Sequence, residues 1–187
     1  MGFSASILSF TRTLIGCFVS SAACTKALDV GIILDGSGSV GSSNFKTAKE
    51  FVQSLIAHFA VSPKATRFGV ITYSTNPNLE FDLAKAKYHD IVELKRRVME
   101  ISYPGQWTRT DKALEMAAGK LFTEAGGDRK DKPNILVVFT DGKTNSGSKP
   151  YPEVLRPLQV SVLQFNSPKR NSILIISYVV MFAHKSV

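Results

Sequence analysis

The chain has little cysteine, and none of it lies where a metal site or a disulfide framework needs it. Cys17 and Cys24 are the only two cysteines among 187 residues, and both fall in the first 24. With His58, His89 and His184 scattered, no Cys/His zinc spacing exists. On sequence alone, Cys24 reads as a buried or capped thiol, or as a pair with another chain or a missing segment. Long apolar runs are missing too: no stretch reaches the roughly 18–20 residues of a membrane-spanning helix. There is no collagen period, no heptad run and no longer repeat. Acidic residues are absent from both ends. Residues 1–27 carry two basic groups and no acid, and residues 161–187 carry three and no acid. The formal charge of +8 therefore leaves 18 basic against 15 acidic residues, or +3, in between. That mixed balance argues against a nucleic-acid partner. A hydrophobic fraction of 44% and a charged fraction of 20% exclude a disordered tail. The length suits one ordinary domain.

Residues 1–23 read as a secretory signal. Arg12 supplies a modest positive region, Leu14 to Val19 a short apolar core, and Ser21-Ala22-Ala23 a small-residue cleavage site. The segment is also Ser-rich and acid-free, as a mitochondrial presequence is, but its single Arg favours secretion.

Between the ends, strand and helix patterns alternate. Ala27 to Leu34 is a nearly continuous apolar run ending at Asp35, as expected of a strand buried on both faces. Asn44 to Phe59 places Phe45, Ala48, Phe51, Val52, Leu55, Ile56 and Phe59 at helical spacing. Arg67 to Tyr73 reads as a second strand and Leu79 to Leu83 as a short third one. Tyr88 to Ile101 is amphipathic, and a further helix is expected from Thr110 to Phe122. Asn134 to Thr140 is another strong strand, again followed by an aspartate, Asp141. This alternation predicts an α/β fold, a Rossmann-like open, mostly parallel sheet flanked by helices. Ligands of such sheets sit at the carboxyl ends of the strands, where Asp35 and Asp141 stand.

The first strand-to-helix turn reads Asp35-Gly36-Ser37-Gly38-Ser39-Val40-Gly41. Gly36, Gly38 and Gly41 match the G-x-G-x-x-G loop of dinucleotide-binding enzymes. Against that reading, Asp35 puts a carboxylate near an incoming pyrophosphate, and Thr72-Tyr73-Ser74-Thr75 lacks the acid that would hold a ribose. The competing pattern is D-x-S-x-S, in which the oxygens of Asp35, Ser37 and Ser39 converge on a hard cation. A cation such as Mg²⁺ wants about six oxygens, so neighbouring strand ends have to contribute. Thr108 and Asp141 are the candidates. An Asx-turn or helix cap explains any one of these residues, though not all five on the predicted loops.

Asp35-Gly36-Ser37-Gly38-Ser39, Thr108 ahead of Thr110, and Thr140-Asp141-Gly142 resemble the metal-ion-dependent adhesion site of von Willebrand factor type A domains. The surrounding runs, 28–34 and 134–139, resemble the extracellular branch found in matrilins and type VI collagen. The resemblance covers about residues 27–159. It implies one Mg²⁺ or Mn²⁺ at the top of the sheet, touched directly by Ser37, Ser39 and Thr108 and held largely through water by Asp35 and Asp141. It also implies a secreted, non-enzymatic adhesion module whose metal takes a carboxylate from a partner, collagen or another matrix protein. Where the family usually carries small residues before the threonine, this chain has Gln106 and Trp107; Trp107 and Arg109 are the candidate rim residues. A dinucleotide-binding enzyme and a truncated chain that binds nothing are the alternatives.

The resemblance stops after Gln159, where it implies another parallel strand and a closing helix. Residues 160–187 form a divergent segment instead. Within it, Val160 to Phe165 and the apolar, β-branched run Ile173 to Ala183 are strand-like, and the second is too short to span a bilayer. The expectation is that one of them joins the edge of the strand Asn134 to Thr140 in parallel, with the other on the rim.

Overall fold

A computed structural model describes residues 23–141, 144–150, 153–154, 160–163 and 176–182. The expected signal segment, 1–23, lies outside them except for its last residue, as does Gly142. Six strands form one sheet in the order β3-β2-β1-β4-β6-β5. They are β1 (Asp29–Asp35), β2 (Arg67–Tyr73), β3 (Pro77–Phe81), β4 (Asn134–Phe139), β5 (Val160–Leu163) and β6 (Ile176–Phe182). β1 pairs in parallel with both β2 and β4, so the centre of the sheet is parallel and its strand ends are aligned. β3 runs antiparallel to β2 as one edge, two residues earlier than the sequence suggests.

Among the described residues, the sheet is covered by α1 (Gly41–Ala57), α2 (Ile91–Glu100) and α3 (Thr110–Met116). A 3-10 turn, Ala86–His89, precedes α2, and α3 runs on as a π-helix over Ala117–Leu121. Asp90 starts α2 because its Oδ1 accepts the amides of Val92 and Glu93 at 2.9 and 3.0 Å. That cap ends the single amphipathic stretch read from Tyr88.

Strand periodicity decides which helix each side chain meets. Val30, Ile32, Leu34, Phe68, Val70, Ile135, Val137 and Phe139 join Phe45, Val52, Leu94 and Val98 of α1 and α2 in one core. Ile33, Ile71, Tyr73, Leu136 and Val138 meet Ala113, Leu114, Ala117 and Leu121 of the α3 layer in the other. Burial on both faces explains why these strands read as unbroken apolar runs. Each fully buried Ile or Leu contributes about 1.5–3 kcal/mol. The α3 layer lies close: a Cβ at Gly31 would come within 2.8 Å of Phe122 Cζ and 2.9 Å of Leu121 Cδ2.

The end of the chain departs from expectation. β6 pairs with β4 antiparallel, and β5 pairs antiparallel with β6 outside it. Both runs therefore enter the sheet, and neither is parallel to its neighbour. An antiparallel strand satisfies the exposed β4 backbone as fully as a parallel one, without the crossover of a dozen or more residues that a parallel strand needs. The longer run, seven residues in β6 against four in β5, takes the inner position. At the other end of the chain, Cys24 is buried, hydrogen-bonds through its amide to the His58 carbonyl at 2.7 Å, and is disulfide-bonded. The readings as a thiol are corrected accordingly. Cys17, the other cysteine of the sequence, lies outside the described residues.

Candidate metal centre

The parallel strands β1, β2 and β4 end together, and three connections meet above them. The loop after β1 is held by Gly36, whose amide donates to the Tyr73 carbonyl at 2.7 Å. It is stitched to the segment before α3 by Gly105 N–H to Gly36 O (2.8 Å) and Gly38 N–H to Gln106 O (2.7 Å). The approach at Gly36 leaves no room for a side chain, since a Cβ there would fall 2.5 Å from Pro104 Cδ. The Tyr103 hydroxyl donates to the Ser37 carbonyl at 2.9 Å, and its ring packs 5.5 Å from that of Phe45 on α1. Lys49 of α1 fixes the same segment from below, donating to the carbonyls of Met99 and Ile101, both at 2.8 Å.

Asp35 is 3% exposed at the end of β1. Its Oδ1 accepts the Ser37 amide at 2.9 Å, and its Oδ2 accepts the hydroxyls of Tyr73 and Thr140, each at 2.8 Å. Tyr73 also shares a 2.8 Å hydrogen bond with the Thr110 hydroxyl at the start of α3. Burial, and then the Asp35 charge, push the Tyr73 phenol well above its usual value, so it remains a donor. Sequence reasoning missed Tyr73, although the parallel register that sets Asp35 opposite Tyr73 makes it a natural neighbour. Asp35 thus holds three strand ends together.

The buried acids differ in what neutralises them. Asp29 is fully buried and paired with Arg129 at 2.7 Å. Asp111, also fully buried, takes Arg109 on both oxygens at 2.9 and 2.8 Å, which brings its carboxyl down to about 2. Asp35 has only neutral donors among the described residues. Leaving a buried carboxylate without a cation is costly. The donors around it suit a hard cation. Ser37 and Ser39 bring their hydroxyl oxygens to 3.1 Å of each other, with Ser37 buried and Ser39 exposed. Thr108 is 5% exposed, and its backbone is fixed by Asn145: the Thr108 amide donates to Asn145 Oδ1 at 2.6 Å, and the Asn145 amide returns a bond to the Thr108 carbonyl at 3.1 Å. None of those bonds uses the Thr108 hydroxyl. Asp141 follows Thr140 at the end of β4 and is partly buried. The described residues hold no cluster of three or more His, Cys, Asp or Glu, so a cation here depends on hydroxyl oxygens.

The same loop is poorly suited to a pyrophosphate. The amides of Gly36, Ser37, Gly38, Val40 and Gly41 all donate within the protein, to Tyr73, Asp35, Gln106 and Ser37. A phosphate cradle needs such amides pointing outward.

Above the hydroxyls lies an open groove of about 860 Å³, lined by Ser39, Gly105, Gln106, Trp107, Thr108, Thr144 and Asn145. Trp107 stands 67% exposed on its wall. Arg109 is turned away into its pair with Asp111. Thr144 and Asn145 were not anticipated from sequence, because no local pattern marks them and only the return of the chain after β4 brings them here.

Comparison with known proteins agrees with this geometry. Mouse matrilin-2 is 38% identical over 124 residues, covering 64% of this chain and 13% of that protein. The Xenopus laevis collagen alpha-1(XXI) chain is 35% identical over 144 residues, 77% of this chain and 14% of that one. Rat von Willebrand factor is 31% identical over 136 residues, 72% and 31% of the respective chains. The chain therefore spans only a minor part of these relatives. Among solved structures, proximal thread matrix protein 1 of the mussel byssus superposes with a TM-score of 0.67 at 25% identity, covering 74% of this chain and 36% of that one. A further structure of that protein, with TM-score 0.66, 25% identity and coverages of 73% and 36%, has zinc in its MIDAS motif. The model of the von Willebrand factor type A domain matches residues 29–173, and with the sheet, the aligned strand ends and the hydroxyl-lined loop it places this chain in the von Willebrand factor type A domain family.

Proposed function

We propose that this chain is a secreted adhesion module of the extracellular matrix that binds its partner through a divalent cation, Mg²⁺ or Mn²⁺. The observation that carries the proposal is Asp35, a buried carboxylate surrounded by hydroxyls and an amide where the other two buried acids among the described residues have arginines. Ser37, Ser39 and Thr108 would contact the cation directly, and Asp35 and Asp141 would supply its compensating charge. When bound, the cation would act as an acceptor for a carboxylate from a protein partner, collagen or another matrix protein. The matrix proteins among the relatives support that partner class.

A binding role fits the site better than catalysis. Its described side chains are mainly hydroxyls and amides, and the Asp35 carboxylate is held inward by three hydrogen bonds. His58 closes α1 at the opposite end of the sheet, and His89 is bonded to the Leu83 carbonyl at 2.8 Å. Calorimetric titration of Mg²⁺ and Mn²⁺ into the chain and its Asp35→Asn variant tests the reading. Saturable binding by the first alone is expected, and equal binding by both would refute the assignment. Capture of matrix proteins with and without EDTA then tests the adhesive role.

A further inference from the structure

We infer that the opposite end of the sheet, where β1, β2 and β4 begin, is a second binding surface, and that it holds a sulfated polysaccharide through Arg67, Lys26 and Lys64 without any cation. The strands start in register there, with Arg67 and Asn134 on either side of Asp29. Two guanidinium groups meet at one oxygen. Arg67 donates to the Pro63 carbonyl from Nε and Nη2 at 3.0 and 2.8 Å, and Arg129 reaches the same carbonyl from Nη1 at 3.5 Å. Arg129 has Asp29 to balance it. Arg67 has no acid among the described residues; its third bond, from Nη1, goes to the Gly127 carbonyl at 3.4 Å. Carbonyls orient a guanidinium without cancelling its charge. Three of its five N–H groups are used in this way, and the other two can meet an oxyanion.

Lysines surround that arginine. Lys64 follows Pro63 directly, and the Lys26 carbonyl accepts the Thr66 hydroxyl at 2.8 Å. Across the Gly126-Gly127 turn, the Ala84 amide donates to the Gly126 carbonyl at 3.1 Å, which brings in Lys85, and a Cβ at Gly126 would fall 2.3 Å from the Lys120 carbonyl. Lys26, Lys64, Lys85 and Lys120 are exposed, and their ammonium groups make no ion pair among the described residues. The acids nearby are spent or enclosed. Asp29 is fully buried, Asp90 caps α2, Glu124 and Asp131 pair with Lys130 and Lys132 at 3.1 and 2.6 Å, and Asp82 and Asp128 are half-buried. Residues 51–79, which supply Lys64 and Arg67, contain no acid at all. The cation-site end is the reverse: Arg109 is committed to Asp111, Lys149 to Glu115, and Lys112 to Asn76. A row of uncommitted cations recognises a polyanion by its charge density. Trp107, the exposed aromatic ring among the described residues, stands at the other end, so this surface offers no platform for stacking bases. Sulfates suit a fork of guanidinium N–H groups, and only the choice of a polysaccharide as their carrier rests on the secretion proposed above.

The test titrates a heparin hexasaccharide into the full chain by calorimetry, at low ionic strength and in EDTA. Saturable binding is expected, and it should weaken steeply with added salt. Lys26→Gln with Lys64→Gln should lower the affinity about three- to tenfold. Arg67→Gln should lower it by a similar factor, and Arg67→Lys, which keeps the charge, should lose less. Lys46→Gln with Lys95→Gln removes the same charge from α1 and α2 and should leave the affinity unchanged. Asp35→Asn should also bind the hexasaccharide as before, so the two ends of the sheet stand or fall separately. Four results would overturn the inference: no binding in EDTA, equal weakening by the two lysine pairs, full affinity in Arg67→Gln, or equal binding of an unsulfated hexasaccharide. Tighter binding of a charge-matched DNA oligonucleotide, or of vesicles containing phosphatidylserine, would overturn it as well.

Discussion

The two ends of β1 carry the same residue in the same orientation and treat it in opposite ways. Asp29 and Asp35 are six positions apart on one strand, so both point to the α3 face, about 20 Å from each other. Both are buried. Asp29 receives the Arg129 guanidinium and amide, and the same guanidinium ties down the carbonyls of Leu28 and Ala65, at 2.9 and 2.8 Å. That end of the sheet is closed by the protein's own cation. At the other end, Asp35 is held by tyrosine and threonine hydroxyls that orient it without neutralising it. The first arrangement stabilises the fold, and the second, on the proposed reading, leaves a charge for a cation to balance.

The largest effect is expected from breaking the closed end. Arg129→Ala strands a fully buried carboxylate, and chemical denaturation should report a loss of about 3–5 kcal/mol. Cation binding at the far end should persist in whatever fraction remains folded. A loss under about 1 kcal/mol would mean that Asp29 finds another cation or becomes protonated cheaply.

Loading the open end should work in the other direction. With Mg²⁺ at about a hundred times its dissociation constant, linkage predicts about 2.7 kcal/mol of added stability, seen as a rise in Tm that EDTA reverses. Asp35→Asn should abolish the rise, while Asp29→Asn should preserve it. If both variants respond to Mg²⁺ alike, the contrast between the two ends is not electrostatic.

Removing the Asp35 carboxylate altogether sharpens its dual role. Asp35→Ala leaves the Ser37 amide and the Tyr73 and Thr140 hydroxyls without their acceptor, so it should cost about 1–3 kcal/mol even without metal. Asp35→Asn retains an acceptor oxygen and should cost less. Urea midpoints of the metal-free variants decide, and equal midpoints would count against the hydrogen-bonded role.

The smallest effect concerns Asp111, the buried acid at the site end that does have an arginine. Its carboxyl is brought from 3.8 to about 2 by the hydrogen bonds from Arg109. A depressed folded value means this contribution is complete above pH 4 and disappears as pH falls toward 2. Stability measured across that window should decline less steeply in Asp111→Asn than in the unaltered chain.

Much of this architecture is legible along the chain. Runs such as Ile32 to Leu34 and Ile135 to Phe139 announce strands buried on both faces, because two opposed helix layers leave no polar face to alternate with. The site loop is legible for a different reason: D-x-S-x-S packs three oxygen donors into five consecutive residues, so a local pattern suffices. Its partners are harder. Thr108 and Asp141 were reachable as oxygen donors at neighbouring strand ends, but Tyr73, Tyr103 and Asn145 act across separations of 38, 66 and 37 residues. No periodicity encodes such contacts. The end of the chain was misjudged in direction because an apolar β-branched run states that it will pair, not which way it will run.

The sequence by itself determined the layered α/β class, the strand ends as the place of the proposed site and the oxygen-rich character of its first loop. All of these follow from local periodicity and spacing. The tertiary structure alone decided which buried carboxylates are paired with an arginine and which is held by neutral donors. An arginine a hundred residues from Asp29 closes one end, and only aligned strands set a tyrosine against Asp35 at the other. It also decided that Arg109 turns inward while Trp107 faces the groove, because two adjacent-but-one residues on a loop have no sequence rule for direction. Charge pairing and exposure are properties of distances through space, and those exist only once the chain has folded.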